Sequence, residues 1–203
     1  MEMRNFMSLV QAVLCDQFAL VCGEQQANLD NGGVLHNFKK VFKLNENVII
    51  GLSGVLEDNY YLFQDYLNLN FELRGDCQDD LEEVFHRVTL RHREMAEQGE
   101  CAVFSLVCGW NGSAFEGKTF YVDPDNPTAC IIADVRLEGP NEAKVISCGD
   151  HRHYDNFMIS AKRRGFTVLN LQDAFRDTLA MGVKFDDYID TNAWFELIKR
   201  PKS

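Results

Sequence analysis

Residues 8 to 53 carry two consecutive hairpin patterns, and the charges inside them constrain the fold more than any other feature of the chain. SLVQAVL and FALVCGE are apolar runs of strand length joined by a Cys15-Asp16-Gln17 turn; NFKKVFKL and NVIIGLS follow around an Asn45-Glu46 turn. A strand points successive side chains to opposite faces. In NFKKVFKL this puts Phe38, Phe42 and Leu44 on one face with Lys40, and Lys39 and Lys43 on the other. In FALVCGE it puts Glu24 with Phe18, Leu20 and Cys22. An ammonium on an apolar face is costly unless paired. Lys40 is therefore expected to be largely buried, with its charge in reach of Glu24 or of the region of Ser8, which begins the strand paired to FALVCGE.

Gly54 closes the second hairpin and is expected to open a helix, with Leu56, Tyr60, Phe63, Leu67 and Phe71 on one stripe. After Arg74-Gly75, Asp76 reads as the cap of a second helix. There Leu81, Val84, Phe85 and Val88 recur at helical spacing, acids cluster early and Arg87, Arg91 and Arg93 come late, and Gly99 is its stop. The acids of residues 79–83 read as a solvated first turn. Strands are expected in CAVFSLVCGW, KTFYVDP, ACIIADVRL and AKVISCG, with Asp123-Pro124-Asp125-Asn126-Pro127 as a turn cluster. A third helix is expected over 151–164. A fourth, capped by Asn170 with Asp173, carries Leu171, Phe175 and Leu179, and AWFELIK is the last strand.

At 203 residues with 46% hydrophobic content, one globular domain is expected. Residues 1–7 look like an extension with no period. A net charge of -11 argues against a nucleic-acid partner and gives no reason to expect an anionic membrane. No run is apolar enough for a transmembrane span or a secretion signal, which with seven cysteines lacking a CxxC pair suggests reduced thiols in the cytoplasm. Cys22, Cys108 and Cys148 sit in apolar strands as small hydrophobes. Neither a metal nor a cofactor is implied. His151 and His153 are too close along a helix to converge on one ion and read as a solvated turn; His86 and His92 fall on different faces; Cys15 beside Asp16 has no histidine partner in view.

Ser8, Glu24 and Lys40 fall at equal spacings, followed by Ser53-Gly54-Val55-Leu56-Glu57-Asp58. In this register the region resembles the proteasome β-subunits and the bacterial HslV-type peptidases, members of the N-terminal-nucleophile hydrolases. Gly23-Glu24-Gln25-Gln26-Ala27-Asn28 is also similar to the G-D-G-Q-A-T run of the HslV type. The resemblance is strong over about the first quarter of the chain.

What it implies is an α+β fold, a four-layer α-β-β-α sandwich of two antiparallel sheets flanked by helix pairs. The predicted order of strands, two helices, strands, two helices and strand can pack that way, although periodicity alone does not yield four layers. The resemblance further implies peptide-bond hydrolysis in a homo-oligomeric ring, with an ATP-dependent unfoldase as partner. Ser8 would be the nucleophile and its own α-amine the base, Lys40 would lower the basicity of that amine, Glu24 would hold Lys40, and the Gly54 N–H would face the oxyanion. Asp186 matches an acidic position near the end of the last helix.

Two other readings stay open. One is a non-catalytic assembly subunit in which Glu24–Lys40 is only a structural ion pair. In its favour, seven residues precede Ser8 and make its amine an amide, Met7 stands where self-processing members carry glycine, and Ser147-Cys148-Gly149-Asp150-His151 lacks their G-S-G. The other is an N-terminal-nucleophile amide hydrolase for small molecules, since fold does not fix substrate.

Overall fold

A computed structural model describes residues 9–28, 33–54, 71–99, 103–123, 126–137, 139, 141–148, 151–187 and 189–201. The first hairpin pairs β1 (Val10–Cys15) with β2 (Phe18–Glu24) in antiparallel register, Cys15 opposite Phe18, so the turn itself is Asp16-Gln17. Every residue of β2 is buried, because one face packs on helices and the other on a second sheet. A small sheet that the hydrophobic pattern does not announce follows, β3 (Ala27–Asn28) with β4 (Val34–Leu35).

The second hairpin is shorter on its first arm than expected. Only Val41–Lys43 forms β5, paired with β6 (Val48–Gly54), and Asn37 adopts a left-handed φ of 61° just upstream. The connecting turn is held by the Asn45 side chain, which accepts from the N–H groups of Asn47 and Val48 at 2.8 and 2.9 Å. Gly54 is the last residue of β6, opposite Val103, rather than the first of a helix. Residues 1–8 and the helix expected from Leu56 lie outside the described residues, apart from the non-helical Phe71.

Helix α1 (Cys77–Glu97) starts where Asp76 accepts from the N–H groups of Gln78 and Asp79, both at 3.0 Å, and a left-handed Gly99 follows its end. Asp80 corrects the expectation of a wholly solvated first turn. It is 1% exposed, and its carboxylate takes the N–H groups of Arg74 and Gly75 and the Asn45 amide, pinning the approach to the helix onto the β5–β6 turn.

Then come β7 (Val103–Trp110), β8 (Phe115–Asp123), β9 (Asn126–Arg136) and β10 (Ala143–Cys148). Helix α2 (His151–Arg164) precedes α3 (Val168–Gly182), whose cap is Thr167, accepting from Asn170 N–H, rather than Asn170 itself. Strand β11 (Ala193–Lys199) closes the order where AWFELIK predicts it.

The two main sheets are antiparallel, four strands ordered β10-β1-β2-β11 and five ordered β5-β6-β7-β8-β9. Between them Val10, Ala12 and Val21 meet Ile49, Leu106 and Phe115. Leu81, Val84, Phe85 and Val88 of α1 pack against Ile50, Leu52, Val107 and Phe120. Phe157 of α2 and Leu171, Phe175 and Leu179 of α3 pack against Leu9, Val13, Leu20 and Cys22. Each such fully buried side chain contributes roughly 1.5–3 kcal/mol of transfer free energy. The three described helices and two main antiparallel sheets make the chain α+β. None of the described helices is long and apolar enough to cross a membrane.

Candidate active site

The site is built where β2 ends. Glu24 is its last residue, and its N–H donates to the Leu9 carbonyl at 3.1 Å, so the residue that follows Ser8 in the chain lies beside it. The chain then turns, and Gln26 N–H donates to Glu24 Oε2 at 2.6 Å. Lys40 stands one residue ahead of β5, its carbonyl accepting Leu52 N–H at 2.8 Å. Its ammonium donates to Glu24 Oε1 and to the Gln26 carbonyl. Glu24 is 0% exposed and Lys40 1%, so both charges have left water entirely.

Gly23 lies where these segments approach. A Cβ there would fall 2.7 Å from Val41 Cγ2, so an added methyl would force that side chain to shift, whereas Lys40 Cβ, at 3.5 Å, would be in ordinary contact. On the far side Lys39 faces outward, donating to Glu196 at 3.1 Å and lying 4.7 Å over the Trp194 ring, as alternation predicts.

Burial pushes Lys40 below the ordinary lysine value, and the Glu24 charge and hydrogen bond, with Asp190 and Asp186 beyond, oppose that shift. Burial likewise pushes Glu24 up, against the charge and hydrogen bond of Lys40 and the Gln26 N–H. Both directions are the signature of a desolvated pair, the kind of perturbation found at reactive sites and in structural ion pairs alike. Burial raises the thiols of Cys108 and Cys148 to about 12 and moves Cys22 the same way, so these three do not compete as nucleophiles.

The stretch after α3 forms the other wall. Asp187 O accepts from the Gln26 side chain at 2.9 Å, and Asp190 lies within electrostatic range of both Glu24 and Lys40. Asp186 is 3% exposed, and its carboxylate meets His153 Nε2 at 2.8 Å. This corrects the solvated-turn expectation for His153, which is 0% exposed near the start of α2. The signal was present in the sequence: His153, Phe157, Ser160 and Ala161 share one helical stripe, and all four are buried.

The structure thus brings Glu24 and Lys40 into direct contact and sets Asp186 within electrostatic range of Lys40. Gly54 lies at the end of β6, and Ser8 is outside the described residues. Sequence reasoning missed Gln26, Asp190 and His153. Among the described residues no three His, Cys, Asp or Glu side chains gather in a metal-binding arrangement.

A scan against protein-family models gives no match, and a search of curated protein sequences gives none either. Among solved structures the chain is similar to the crystal structure of eukaryotic HslV from Trypanosoma brucei, with a TM-score of 0.60 and 14% identity over 95% of this chain and 99% of that one. The fold is proteasome- and HslV-like.

Proposed function

We propose that this chain is a proteasome-like subunit that hydrolyses peptide bonds with Ser8 as an N-terminal nucleophile. The observation that carries the reading is the buried Glu24–Lys40 pair at the end of β2, in a chain whose fold is HslV-like. In this proposal residues 8–203 form a single domain of the α-β-β-α sandwich type.

In this mechanism the free α-amine of Ser8 takes the proton of its own hydroxyl, and the oxygen attacks the scissile carbonyl. An α-amine ordinarily titrates at about 7.7–8.0, and the Lys40 cation disfavours its protonated form. Glu24, Asp186 and Asp190 favour the ammonium of Lys40 against its burial. The Gly54 N–H donates to the oxyanion. The amine then returns the proton to the leaving nitrogen, and water attacks the Ser8 ester to release the acid. The chain works as a homo-oligomeric ring in the cytoplasm, fed by an ATP-dependent unfoldase.

A specific observation favours a second reading, the non-catalytic assembly subunit. Both Glu24 oxygens are already engaged, one by Lys40 and one by Gln26 N–H, so the pair needs nothing from Ser8 to be stable. One experiment separates the two. A chain started at Met7 loses that methionine ahead of a small residue and exposes the Ser8 amine. It should hydrolyse small peptide or amide substrates, Ser8→Ala should abolish the activity, and the 203-residue chain should be inert because its Ser8 nitrogen is an amide. A short chain shown by mass spectrometry to begin at Ser8, yet inactive on a broad panel, leaves the assembly reading standing.

A further inference from the structure

The turn that follows β2 touches both members of the charge pair. The Gln26 N–H donates to Glu24 Oε2 at 2.6 Å, and the Gln26 carbonyl accepts from the Lys40 ammonium. The residue before it extends the link: the Gln25 carbonyl accepts Phe38 N–H at 2.9 Å, two residues ahead of Lys40. The placement of Glu24 against Lys40 therefore passes through the main chain of Gln25 and Gln26. Glu24 ends β2 and Ala27 begins a strand of only two residues, so this main chain has little regular ladder to hold it.

The Gln26 side chain supplies an anchor from outside the turn. The residue is 7% exposed, and its Nε2 donates to the Asp187 carbonyl at 2.9 Å, which offsets the cost of burying the amide. That carbonyl has firm support on both sides. The N–H groups of Phe185 and Asp186 both donate to the Gly182 carbonyl at 2.9 Å, closing the end of α3. Ile189 is buried in the apolar layer with Phe157, Leu171 and Phe175. Further along the same stretch Asp190 Oδ1 accepts Asn192 N–H at 2.9 Å and Gln25 N–H at 3.4 Å. The stretch after α3 thus holds the turn at two points, and Gln26 is the residue whose side chain takes the anchor while its main chain meets the pair.

We infer that Gln26 is a positioning residue: its side chain, fixed on the Asp187 carbonyl, holds the turn whose N–H and C=O set the geometry of Glu24 and Lys40. The catalytic half of this inference rests on the hydrolase reading; the anchoring half does not. A displaced turn moves an acceptor of the Lys40 ammonium and withdraws the N–H that orients Glu24 Oε2. In the hydrolase reading this misdirects the cation that acts on the Ser8 amine.

The test reads the residue-26 amide by hydrogen–deuterium exchange with fragment mass spectrometry, which suits a large assembly. Gln26→Met keeps the length of the side chain and removes its polar contacts. In the 203-residue chain it should speed exchange at residue 26 by about tenfold or more, the loss of one hydrogen bond to a charged group. Leu20 and Val21 of β2 should exchange as in the parent. In the short chain beginning at Ser8, the same change should lower kcat by up to about 100-fold, the cost of misplacing a catalytic group by an ångström, with KM close to that of the parent. Unchanged exchange at residue 26 in a folded Gln26→Met chain overturns the inference, and so does a loosened turn with kcat unchanged. If Gln26→Met does not fold, the parent decides: its crystal structure should place the Gln26 amide within hydrogen-bond distance of the Asp187 carbonyl, and an amide turned away from it overturns the inference. A loosened turn in a chain whose parent hydrolyses nothing would sink the hydrolase reading and leave the anchoring intact.

Discussion

Lys40 has exchanged its hydration shell for the Glu24 carboxylate and the Gln26 carbonyl, so neither member of the pair can be altered alone without exposing the other. Removing one partner of a buried pair costs about 3–5 kcal/mol, and we expect Glu24→Gln to lose that order of stability near neutral pH. The loss should depend on pH with a definite sign. Burial holds Lys40 below its ordinary 10.5, and loss of Glu24 deepens the depression. Across the window from the depressed value up to 10.5 the unfolded chain binds more protons, so stability rises with pH there and is lost as pH falls. Denaturant titrations at a series of pH values should show the deficit of Glu24→Gln shrinking toward the alkaline end; a deficit independent of pH would mean Lys40 carries no charge in the folded chain. For activity, Lys40→Ala in a chain beginning at Ser8 should reduce kcat at least ~10²-fold, the scale of a lost acid–base contribution, and peptide-release assays read this directly.

At the scale of elements, the approach of β2 to the segment before β5 depends on Gly23. Gly23→Ala must push the Val41 side chain aside, and overpacking of this kind costs about 1–3 kcal/mol. We expect a lowered denaturation midpoint together with a weakened Glu24–Lys40 contact; a midpoint equal to that of the parent would show that Val41 rotates away freely. The same elements show what a single sequence reveals. The β1–β2 hairpin, α1 from Asp76 and β11 were legible because each has a strong period bounded by a turn or cap. The contact of Lys40 with Glu24 was legible because a charge on an apolar face has to find its opposite. The residues 37–44 were read as a full strand, but Asn37 adopts a left-handed turn and pairing begins only at Val41. Polar side chains are usually solvated; the burial of His153 is signalled by its stripe with Phe157, Ser160 and Ala161, whereas that of Asp80 is decided by tertiary contacts to Arg74, Gly75 and Asn45. The Asp186–His153 contact joins residues 33 apart, and no local pattern encodes it.

At the scale of the whole molecule, the ring proposed above implies more than one copy in solution. Light scattering should therefore give a mass well above the 23.2 kDa of one chain, and a monomer at working concentration would count against both the chambered-hydrolase and the assembly readings. The sheet order adds a matter of timing. Strand β2 sits between β1 and β11, with Glu24 opposite Ala193 and Phe18 opposite Lys199. During synthesis, residues 18–24 are made some 170 residues before the strand that covers their free edge; this interval follows from Glu24 pairing with Ala193. Until then the apolar run FALVCGE presents open backbone N–H and C=O groups, the kind of edge that recruits other chains. A ribosome-bound fragment lacking β11 thus carries Glu24 at the end of a strand whose outer edge is not yet covered. Its main hazard at that stage is association with other nascent chains, and this is where a chaperone would have most effect on yield.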